Sequence, residues 1–342
     1  MGKSEQPDGD SRQSAGDEPP RDATIRMDRP PALVGAPPGF RREFLHPRHW
    51  PFWLLLGGLL LLALVPRRLR DALTDGVGYL TYRYNTKRAY CASVNLAWCL
   101  PRLSEAERER LALRHFQAQA RAMFDIPLLR FASIGRLRRL NDVEGIEHVE
   151  QAHRQGRSVI LLCGHSSALD VGGMALSIRL RTISVFNPFK SAIADWFMFS
   201  ARTRFDMQLA RRDDGLRSLI RAVRDGAVLV HIADEDLGAE RTVFAEFFGQ
   251  QKATVPVLGR LAKMCNAVVI PCYTWYDRRA RHYRGKLLPA LDHTWGEDIA
   301  VDARIMNRAL QQTIELCPEQ YMWSMHIFKT RPDGEPSPYD RR

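Results

Sequence analysis

His165 and Asp170 are the residues whose type and spacing first suggest chemistry. Six mostly apolar residues, Ser158 to Cys163, lie between Gly156 and Gly164 and predict a buried strand that ends just before the histidine. Asp170 follows where a segment of small and apolar residues begins a predicted helix. On one continuous helix this spacing would place the two side chains about 140° apart, but a strand-to-helix turn removes that constraint.

Such a pair suits general base catalysis. A carboxylate that holds one imidazole nitrogen fixes the tautomer and stabilises the imidazolium, while the other nitrogen takes a proton from a substrate. We therefore predict His165 as a base and Asp170 as the residue that orients it. The alternative is a surface histidine near an aspartate that caps a helix.

Three further stretches carry clustered polar or aromatic residues. Leu209 to Gly215 places paired arginines before two acids, a pattern that also suits a charged loop or a helix start. Ile232 to Gly238 places three consecutive acids after a predicted strand, which suggests a metal site or an acid cluster that orients a basic group. Phe244 to Thr254 joins phenylalanines to a predicted Lys-Ala-Thr turn, and either core packing or an acyl-chain slot would explain it.

The charge of the chain indicates an anionic partner. The net charge is +11, and residues 1–40 carry five basic and seven acidic side chains, so the remaining residues carry about +13. Acidic lipid headgroups, phosphorylated substrates and nucleic acid would all suit this charge. Because the basic residues are spread along the chain without a zinc finger or RNA-binding signature, we predict no nucleic acid partner.

The six cysteines show no Cys-x-x-Cys pairing, and several lie in apolar segments. A disulfide framework is unusual in a chain of this length, so this pattern predicts a reducing compartment and unreactive thiols. We predict no metal site.

Three regions are predicted along the chain. Residues 1–40, rich in Pro, Gly, Asp, Ser and Arg, predict a disordered leader. Residues 41–70 predict a membrane anchor, because Trp50 to Val65 is uncharged and leucine-rich, with tryptophans at one end and arginines beyond the other. This stretch would span about 24 Å as a helix, so it would cross the bilayer or dip into it, and a buried core helix is the alternative. Residues 71–342 predict the main domain, helical over 71–140.

After His165 the main domain alternates between strand and helix. Strands are predicted at Ala227 to Ala233, Ala267 to Tyr273 and Tyr283 to Leu288, and helices at Gly215 to Arg224, Pro256 to Lys263 and Val301 to Leu316. Ser104 to Glu107 is a capping box that predicts a helix towards Met123. Strands separated by helices predict an α/β fold with a mixed or parallel sheet flanked by helices.

In this order, these stretches resemble the lipid A biosynthesis late acyltransferases, especially the branch that adds the last secondary acyl chain, usually myristoyl. The resemblance runs from about Phe44 to Tyr339 and includes the His-x4-acid motif from His165 to Asp170. Further matching segments are Leu45 to Trp50, Cys99 to Glu105, Arg212 to Gly215, Lys252 to Pro256, Gly259 to Leu261, Pro318 to Tyr321 and Lys329 to Arg331. One departure is that the family commonly has Pro-Asp-Gln-Asp where this chain has Ala233-Asp-Glu-Asp236.

The resemblance implies a reaction and a set of site residues. The family moves a fatty acyl chain from an acyl carrier protein to the hydroxyl of a hydroxyacyl chain on a Kdo-bearing lipid A precursor. It does so without a cofactor, on the cytoplasmic face of the bacterial inner membrane, so the implied partners are acyl carrier protein, lipid A precursor and membrane lipid. The implied fold resembles that of glycerol-phosphate acyltransferases. The implied roles are base for His165, orienter for Asp170, oxyanion donor for Arg212, and substrate binding or positioning for Asp234, Asp236, Lys252 and Thr254.

Two alternatives stay open at this point. A glycerolipid or lysophospholipid acyltransferase would use the same His-x4-Asp chemistry on another acceptor. A catalytically inert, membrane-associated relative would keep the fold without the reaction. The sequence leaves the acyl chain length, the accepting hydroxyacyl position and the oligomeric state open.

Overall fold

The computed structural model describes residues 39–211, 215–333 and 335–340. Its helices are α1 (Trp50–Leu62), α2 (Arg67–Tyr84), α3 (Thr86–Cys99), α4 (Glu105–Phe131), α5 (Ile134–Leu140), α6 (Ile146–Arg154), α7 (Leu169–Ser177), α8 (Ala192–Arg202), α9 (Leu216–Arg224), α10 (Val257–Cys265) and α11 (Ile299–Ile314). Its strands are β1 (Asn141–Glu144), β2 (Ser158–Cys163), β3 (Thr182–Phe186), β4 (Met207–Arg211), β5 (Val228–Ile232), β6 (Val243–Phe247), β7 (Gln250–Thr254), β8 (Ala267–Asp277) and β9 (His282–Leu287).

A mixed sheet lies at the centre of the fold. Within the described residues its seven strands pair in the order β1-β9-β8-β2-β5-β3-β4. The strands from β8 through β4 in this order run parallel, whereas β9 is antiparallel to β8 and parallel to β1. β6 and β7 form a separate antiparallel hairpin. The predicted α/β fold with a mixed sheet flanked by helices is therefore confirmed.

The central strand β2 has the bounds that its sequence predicts, and both of its faces are covered. Ile160 and Leu162 pack with α9, α10 and α11 on one side of the sheet. Val159 and Leu161 pack with α6 and α7 on the other side. Because alternate side chains of a strand point to opposite faces, these two sets identify two separate helical layers.

The predicted capping box at the start of α4 is present. The Ser104 hydroxyl accepts a hydrogen bond from the Glu107 N–H, and the Glu107 carboxylate accepts one from the Ser104 N–H at 2.8 Å. The helix continues to Phe131, beyond the predicted Met123. α2 packs closely along α4 at Gly78, where an added Cβ would lie 2.4 Å from the Cα of Gln117.

The predicted membrane anchor is not supported by the fold. The apolar stretch forms only the thirteen residues of α1, about 20 Å of helix against roughly 30 Å of bilayer hydrocarbon. Leu56, Leu59 and Ala63 form a buried stripe on this segment, and Leu56 and Ala63 pack with residues of α4, α7 and α8. Within the described residues, we find no helix that combines the length and the apolar character needed to cross a membrane. Apart from Gly39 and Phe40, the predicted leader lies outside the described residues.

The segment from Phe244 to Thr254 is a hairpin, and its Lys-Ala-Thr residues lie in β7, where a turn was predicted. Phe247 is fully buried and packs against Tyr321 and Phe328 in the core. Of the two interpretations of these phenylalanines, core packing is the one that Phe247 fits.

Candidate active site

His165 and Asp234 lie at the same edge of the sheet because their strands are neighbours. His165 follows β2 and Asp234 follows β5, and Cys163 pairs with Ile232 at the ends of these two parallel strands. The Ala233 N–H continues the pairing by donating to the Cys163 carbonyl at 3.0 Å. The carboxyl ends of parallel strands are the usual place for ligand binding in α/β folds.

Asp234 holds His165 through two hydrogen bonds. The Nδ1 atom of His165 lies 2.6 Å from Oδ1 of Asp234, and the backbone N–H of His165 donates to Oδ2 at 2.7 Å. Asp234 is fully buried, and Gly164 leaves it room, since an added Cβ there would lie 3.4 Å from Oδ2. One carboxylate therefore fixes both the backbone and the ring of the histidine, and Nε2 remains for a substrate proton.

The structure corrects the predicted pairing of His165 with Asp170. Asp170 lies in the first turn of α7, and its Oδ1 accepts a hydrogen bond from Nε of Arg202 on α8 at 2.7 Å. The turn between β2 and α7 directs this carboxylate towards α8, while Asp234 occupies the position beside Nδ1. Asp170 still lines the same cavity as His165 and acts on its pKa through its charge.

Three carboxylates act on the His165 imidazole. Burial alone lowers the pKa of His165, but the charge and hydrogen bond of Asp234, followed by the charges of Glu235 and Asp170, outweigh burial and raise this pKa above its ordinary value. Oε1 of Glu235 lies 3.9 Å from Nε2. Burial likewise opposes the ionised form of Asp234, yet His165 keeps the pKa of that carboxyl below its ordinary value. An ionised carboxylate thus faces a ring that takes up a proton readily.

Glu235→Gln should shift the acid side of the pH–activity profile to lower pH. A base must be neutral to accept a proton, so activity falls as the pH drops through the pKa of His165. Removing the negative charge of Glu235 lowers that pKa, because this charge favours the imidazolium. The measurement is kcat/KM against pH, with Glu240→Gln as control because Glu240 lines the same cavity. An unchanged profile in Glu235→Gln would contradict the described electrostatics.

Lys252 and Thr254 are both fully buried in β7, and neither lines the cavity. The structure therefore does not support their predicted contact with substrate. The Lys252 ammonium lies 6.0 Å from the centre of the Phe247 ring. Burial lowers the pKa of Lys252, and the charge of Asp234 acts most strongly in the opposite direction. Lys252 is thus a buried positive charge close to the carboxylate that holds His165.

Asp236 holds the C-terminal segment in place. A substrate contact was predicted for it, but Asp236 does not line the cavity. Its carboxylate accepts hydrogen bonds from the backbone N–H and the hydroxyl of Thr330, both at 2.7 Å. It also accepts the Gly238 N–H at 3.2 Å. Of the two aspartates in this motif, Asp234 hydrogen-bonds to His165, and Asp236 connects the segment after β5 to the C-terminal segment at Thr330.

Arg212, the predicted oxyanion donor, lies outside the described residues. The preceding residue, Arg211, ends β4 and lines the same cavity as His165. The first arginine of the motif therefore lies at the cavity that contains His165.

A cavity of about 1610 Å³ opens beside His165. Ordinary small-molecule pockets occupy about 300–1,000 Å³, so there is room for a large substrate or for two. Its charged lining comes from His165, Asp170, Glu235, Glu240, Arg202, Arg211, Arg241 and Arg260. Its apolar lining includes Met123, Ile126, Leu129, Val171, Met174, Phe186, Met207 and Leu209. The lining thus combines titratable groups with an extended apolar wall.

Metal ions in proteins are held by converging sets of donor side chains. Among the described residues, no three or more His, Cys, Asp or Glu side chains converge in a way that could hold a metal ion. All six cysteines are free and buried. The neighbouring Cys272 thiol, together with burial, raises the pKa of Cys163 well above its ordinary value, so this thiol has little thiolate character.

Sequence reasoning missed three features of the site. Asp234 was predicted to bind or position substrate, whereas it hydrogen-bonds to His165. No role was predicted for Glu235 or Arg202. The available signal for Asp234 and Glu235 was the run of acids directly after a predicted strand. This run was interpreted as either a metal site or an acid cluster that orients a basic group, and the second interpretation fits the contact with His165. Arg202 carried no such signal, since it is one arginine at the end of a helix.

The family of the chain follows from comparison with known proteins. Residues 37–330 match the family model described as bacterial lipid A biosynthesis acyltransferase. The chain belongs to this family. It is therefore an acyltransferase, and the predicted resemblance to lipid A acyltransferases is confirmed.

Several relatives match the chain over nearly their whole length. It is 35% identical to a lipid A biosynthesis acyltransferase of Haemophilus influenzae over 305 residues, which cover 89% of this chain and 95% of the relative. It is 32% identical to the lipid A biosynthesis myristoyltransferase of Escherichia coli, with the same coverage. It is 31% identical to the lipid A biosynthesis lauroyltransferase of Escherichia coli, which covers 88% of this chain and 99% of the relative. The myristoyltransferase and the lauroyltransferase are thus almost equally similar to this chain in sequence.

Proposed function

We propose that the protein transfers a fatty acyl chain from acyl carrier protein to the hydroxyl of a hydroxyacyl chain on a Kdo-bearing lipid A precursor. The observation that carries this proposal is the His165–Asp234 pair, which lines a cavity with an extended apolar wall. An alcohol is a weak nucleophile at neutral pH and needs a base during its attack. Family membership favours a lipid A precursor as the acceptor, and the reaction needs no cofactor.

The proposed reaction is a direct transfer. Nε2 of neutral His165 takes the proton of the acceptor hydroxyl while the oxygen attacks the thioester carbonyl carbon, and Asp234 stabilises the imidazolium. Arg212 donates to the oxyanion of the tetrahedral intermediate. The carbon–sulfur bond then breaks, the imidazolium returns the proton to the thiolate of the carrier, and an ester remains on the acceptor.

An acyl-enzyme on a serine is not part of this mechanism. The chain has no Gly-x-Ser-x-Gly elbow, which exposes a nucleophilic serine in hydrolases. The two serines after His165 have other partners. The Ser166 and Thr274 hydroxyls lie 3.3 Å apart, and the Ser167 hydroxyl donates to the Gln320 side chain at 3.3 Å.

The apolar wall of the cavity is the proposed site of the acyl chain. We propose a myristoyl chain or one of similar length, supported by the resemblance to the myristoyltransferase branch. The myristoyl- and lauroyltransferases of Escherichia coli are 32% and 31% identical to this chain, so identity favours neither length. The mass of the transferred group will therefore decide it.

The first two helices provide the proposed contact with the inner membrane, on its cytoplasmic face. The α1–α2 apolar face is defined here by the exposed leucines of the two helices and their connection, which are Leu54, Leu55, Leu61, Leu64, Leu69, Leu73 and Leu80. Leu54 and Leu64 are 75% and 76% exposed. Large apolar patches on protein surfaces mark partner or membrane contacts, and a helix can lie in the headgroup region without spanning the bilayer.

Leu54→Asp combined with Leu61→Asp should weaken vesicle binding by roughly tenfold or more, because burial of one leucine side chain contributes about 1.5–3 kcal/mol. The measurement is co-sedimentation of the full chain with phospholipid vesicles. Ile299→Asp combined with Leu316→Asp is the control, since both residues are exposed and apolar but lie on or beside α11. Equal binding by the two double variants would count against the α1–α2 apolar face.

The proposed function is tested by complementation. The chromosomal gene is deleted, a plasmid supplies the unaltered or the mutated gene, and lipid A from these cells is analysed by mass spectrometry. The unaltered gene should restore one secondary acyl chain, whose mass gives its length. His165→Ala should not restore it, because loss of a general base lowers the rate roughly 10²- to 10⁴-fold. His148→Ala on α6 is the matched control. Unchanged lipid A with altered phospholipids would replace the proposed acceptor by a glycerolipid.

A further inference from the structure

Helices α9 and α10 share a strongly basic outer surface, here named the α9–α10 basic face. Its members are Arg217, Arg221, Arg224, Arg260 and Lys263, all of which are exposed. The spacing of three and four residues along α9 places its arginines on one stripe, opposite the buried Leu219, Ala222 and Val223. The two helices pack side by side on one layer of the sheet, so the stripes lie on the same side of the protein.

Within the described residues this face has an excess of positive charge, although the exposed Asp225 directly follows α9. Neither α9 nor α10 contains an aspartate or glutamate. Within the described residues, no carboxylate forms an ion pair with Arg217, Arg221 or Arg260. The Arg224 guanidinium donates to the Met264 carbonyl at 3.0 Å, which joins the two helices and leaves its charge in place. Uncompensated charge of one sign produces a field that attracts a partner of the opposite sign.

The basic face adjoins the cavity that holds His165. Leu216 at the start of α9 and Val257 at the start of α10 both line the cavity, as does Arg260 one turn along α10. Both helices therefore begin at the cavity and extend away from it along the surface. A macromolecule bound to this face would have the cavity within reach.

The basic face and helix α1 lie on opposite layers of the sheet. α9 and α10 pack with Ile160 and Leu162 of β2. α7 packs with Leu161 on the other side of the same strand, and Leu56 of α1 packs in the cluster that contains Val171 of α7. A membrane that contacts the exposed leucines of α1 is thus on the other side of the sheet from the arginines. This arrangement favours a soluble anionic partner over anionic lipid.

We propose that the α9–α10 basic face is the docking surface for the acidic carrier protein that delivers the acyl thioester. This inference rests on the proposed use of an acyl carrier protein as donor. Complementary charge would steer the carrier to the surface beside the cavity mouth and orient its thioester towards His165. The charge of this face therefore sets the rate of carrier capture, while the chemical step depends on the site itself.

The test is a triple charge reversal, Arg217→Glu/Arg221→Glu/Lys263→Glu, in the full-length protein. None of these three residues lines the cavity. We expect kcat/KM for the acyl carrier protein thioester to fall by at least about tenfold, with kcat at saturating carrier retained. With the same acyl chain on a small pantetheine thioester, kcat/KM should stay within about twofold of wild type, since a small donor needs no docking surface.

The matched control reverses three exposed arginines elsewhere, Arg110→Glu/Arg114→Glu/Arg154→Glu, which changes the net charge equally. This control should keep the wild-type rate with both donors. Raising the salt concentration should lower kcat/KM of the wild type with the carrier and have less effect on the triple variant of the basic face, because salt screens exposed charges.

Three results would overturn the inference. The first is that the basic-face variant has the same kcat/KM for the acyl carrier protein thioester as the wild type. The second is an equal loss with carrier and pantetheine donors, which would assign the face to the acceptor or to folding. The third is a loss of binding to anionic vesicles with unchanged carrier kinetics, which would assign it to lipid. Failure of the proposed function is distinguishable, because the wild-type protein itself would then transfer no acyl group from either donor.

Discussion

Asp234→Asn should lower kcat by about 10³- to 10⁴-fold. The reason lies in the two hydrogen bonds that Asp234 makes. Its Oδ2 accepts the backbone N–H of His165 at 2.7 Å, so the amide oxygen of an asparagine would occupy that position. The amide NH₂ group would then face Nδ1, which would have to accept a hydrogen bond and leave the proton on Nε2. An imidazole protonated at Nε2 cannot take the proton of the acceptor hydroxyl.

Asp170→Asn is the matched control for this prediction. Its carboxylate pairs with Arg202 and acts on His165 only through its charge, and exposed or half-exposed pairs contribute little energy. We expect a loss in kcat of less than about tenfold. Steady-state kinetics of both variants, purified in parallel, provide the measurement. A large loss in Asp170→Asn with a small one in Asp234→Asn would restore the pairing predicted from the His-x4-Asp spacing.

Asp125→Ala should lower the free energy of unfolding by about 3–5 kcal/mol, because removing one partner of a buried ion pair leaves the other charge buried alone. Asp125 on α4 is fully buried. Its carboxylate lies 2.7 Å from Arg67 and 2.9 Å from Arg70, and the Tyr283 hydroxyl of β9 donates to it. This one side chain thus connects α2, α4 and the sheet, and its loss would leave two arginines without an acceptor.

The measurement for Asp125→Ala is the denaturant dependence of unfolding in the presence of a mild detergent. Glu43→Ala is the control, since Glu43 pairs with Arg41 at 3.2 Å on the surface. Exposed pairs of this kind contribute about 0–1 kcal/mol, so the control should unfold close to the wild type. Equal, small shifts in both variants would show that the buried cluster does not stabilise the attachment of α2.

Local sequence patterns were sufficient for much of the fold. The apolar run between two glycines gave β2 its bounds, and Ser104 with Glu107 gave α4 its start, because both signals depend only on nearby residues. The helices predicted in the second half of the chain also agree with the structure. For example, the helix predicted at Gly215 to Arg224 is α9, Leu216–Arg224. The strands β3 and β4 were missed, because polar residues such as Ser184 and Gln208 interrupt their short apolar runs.

The partner of His165 was not predictable from spacing, because the contact depends on which strand lies beside β2. Asp234 is 69 residues away in the chain, and only the pairing of β2 with β5 brings it to the ring. Asp170 is close in sequence, but the geometry of one turn decides where its carboxylate points. Burial of Lys252 depends in the same way on how the β6–β7 hairpin packs, which its alternation alone does not determine.

The structure does not support the spanning form of the predicted anchor, for a related reason. A leucine-rich stretch is compatible with a membrane span, with a helix on the membrane surface and with a helix packed on the protein body, and composition does not separate them. Packing of Leu56 and Ala63 in the core together with exposure of Leu54 and Leu64 identifies a helix with one packed side and one open apolar side.

The most direct test of the proposed reaction is reconstitution with the purified protein, an acyl carrier protein thioester and a hydroxyacylated, Kdo-bearing lipid A precursor in mixed micelles. Mass spectrometry of the lipid should show the addition of one acyl group by the wild type, with at least about a hundredfold slower addition by His165→Ala. Equal product formation by both proteins would exclude His165 as the base. Transfer by the wild type only to lysophospholipid or glycerol phosphate would contradict the proposed acceptor.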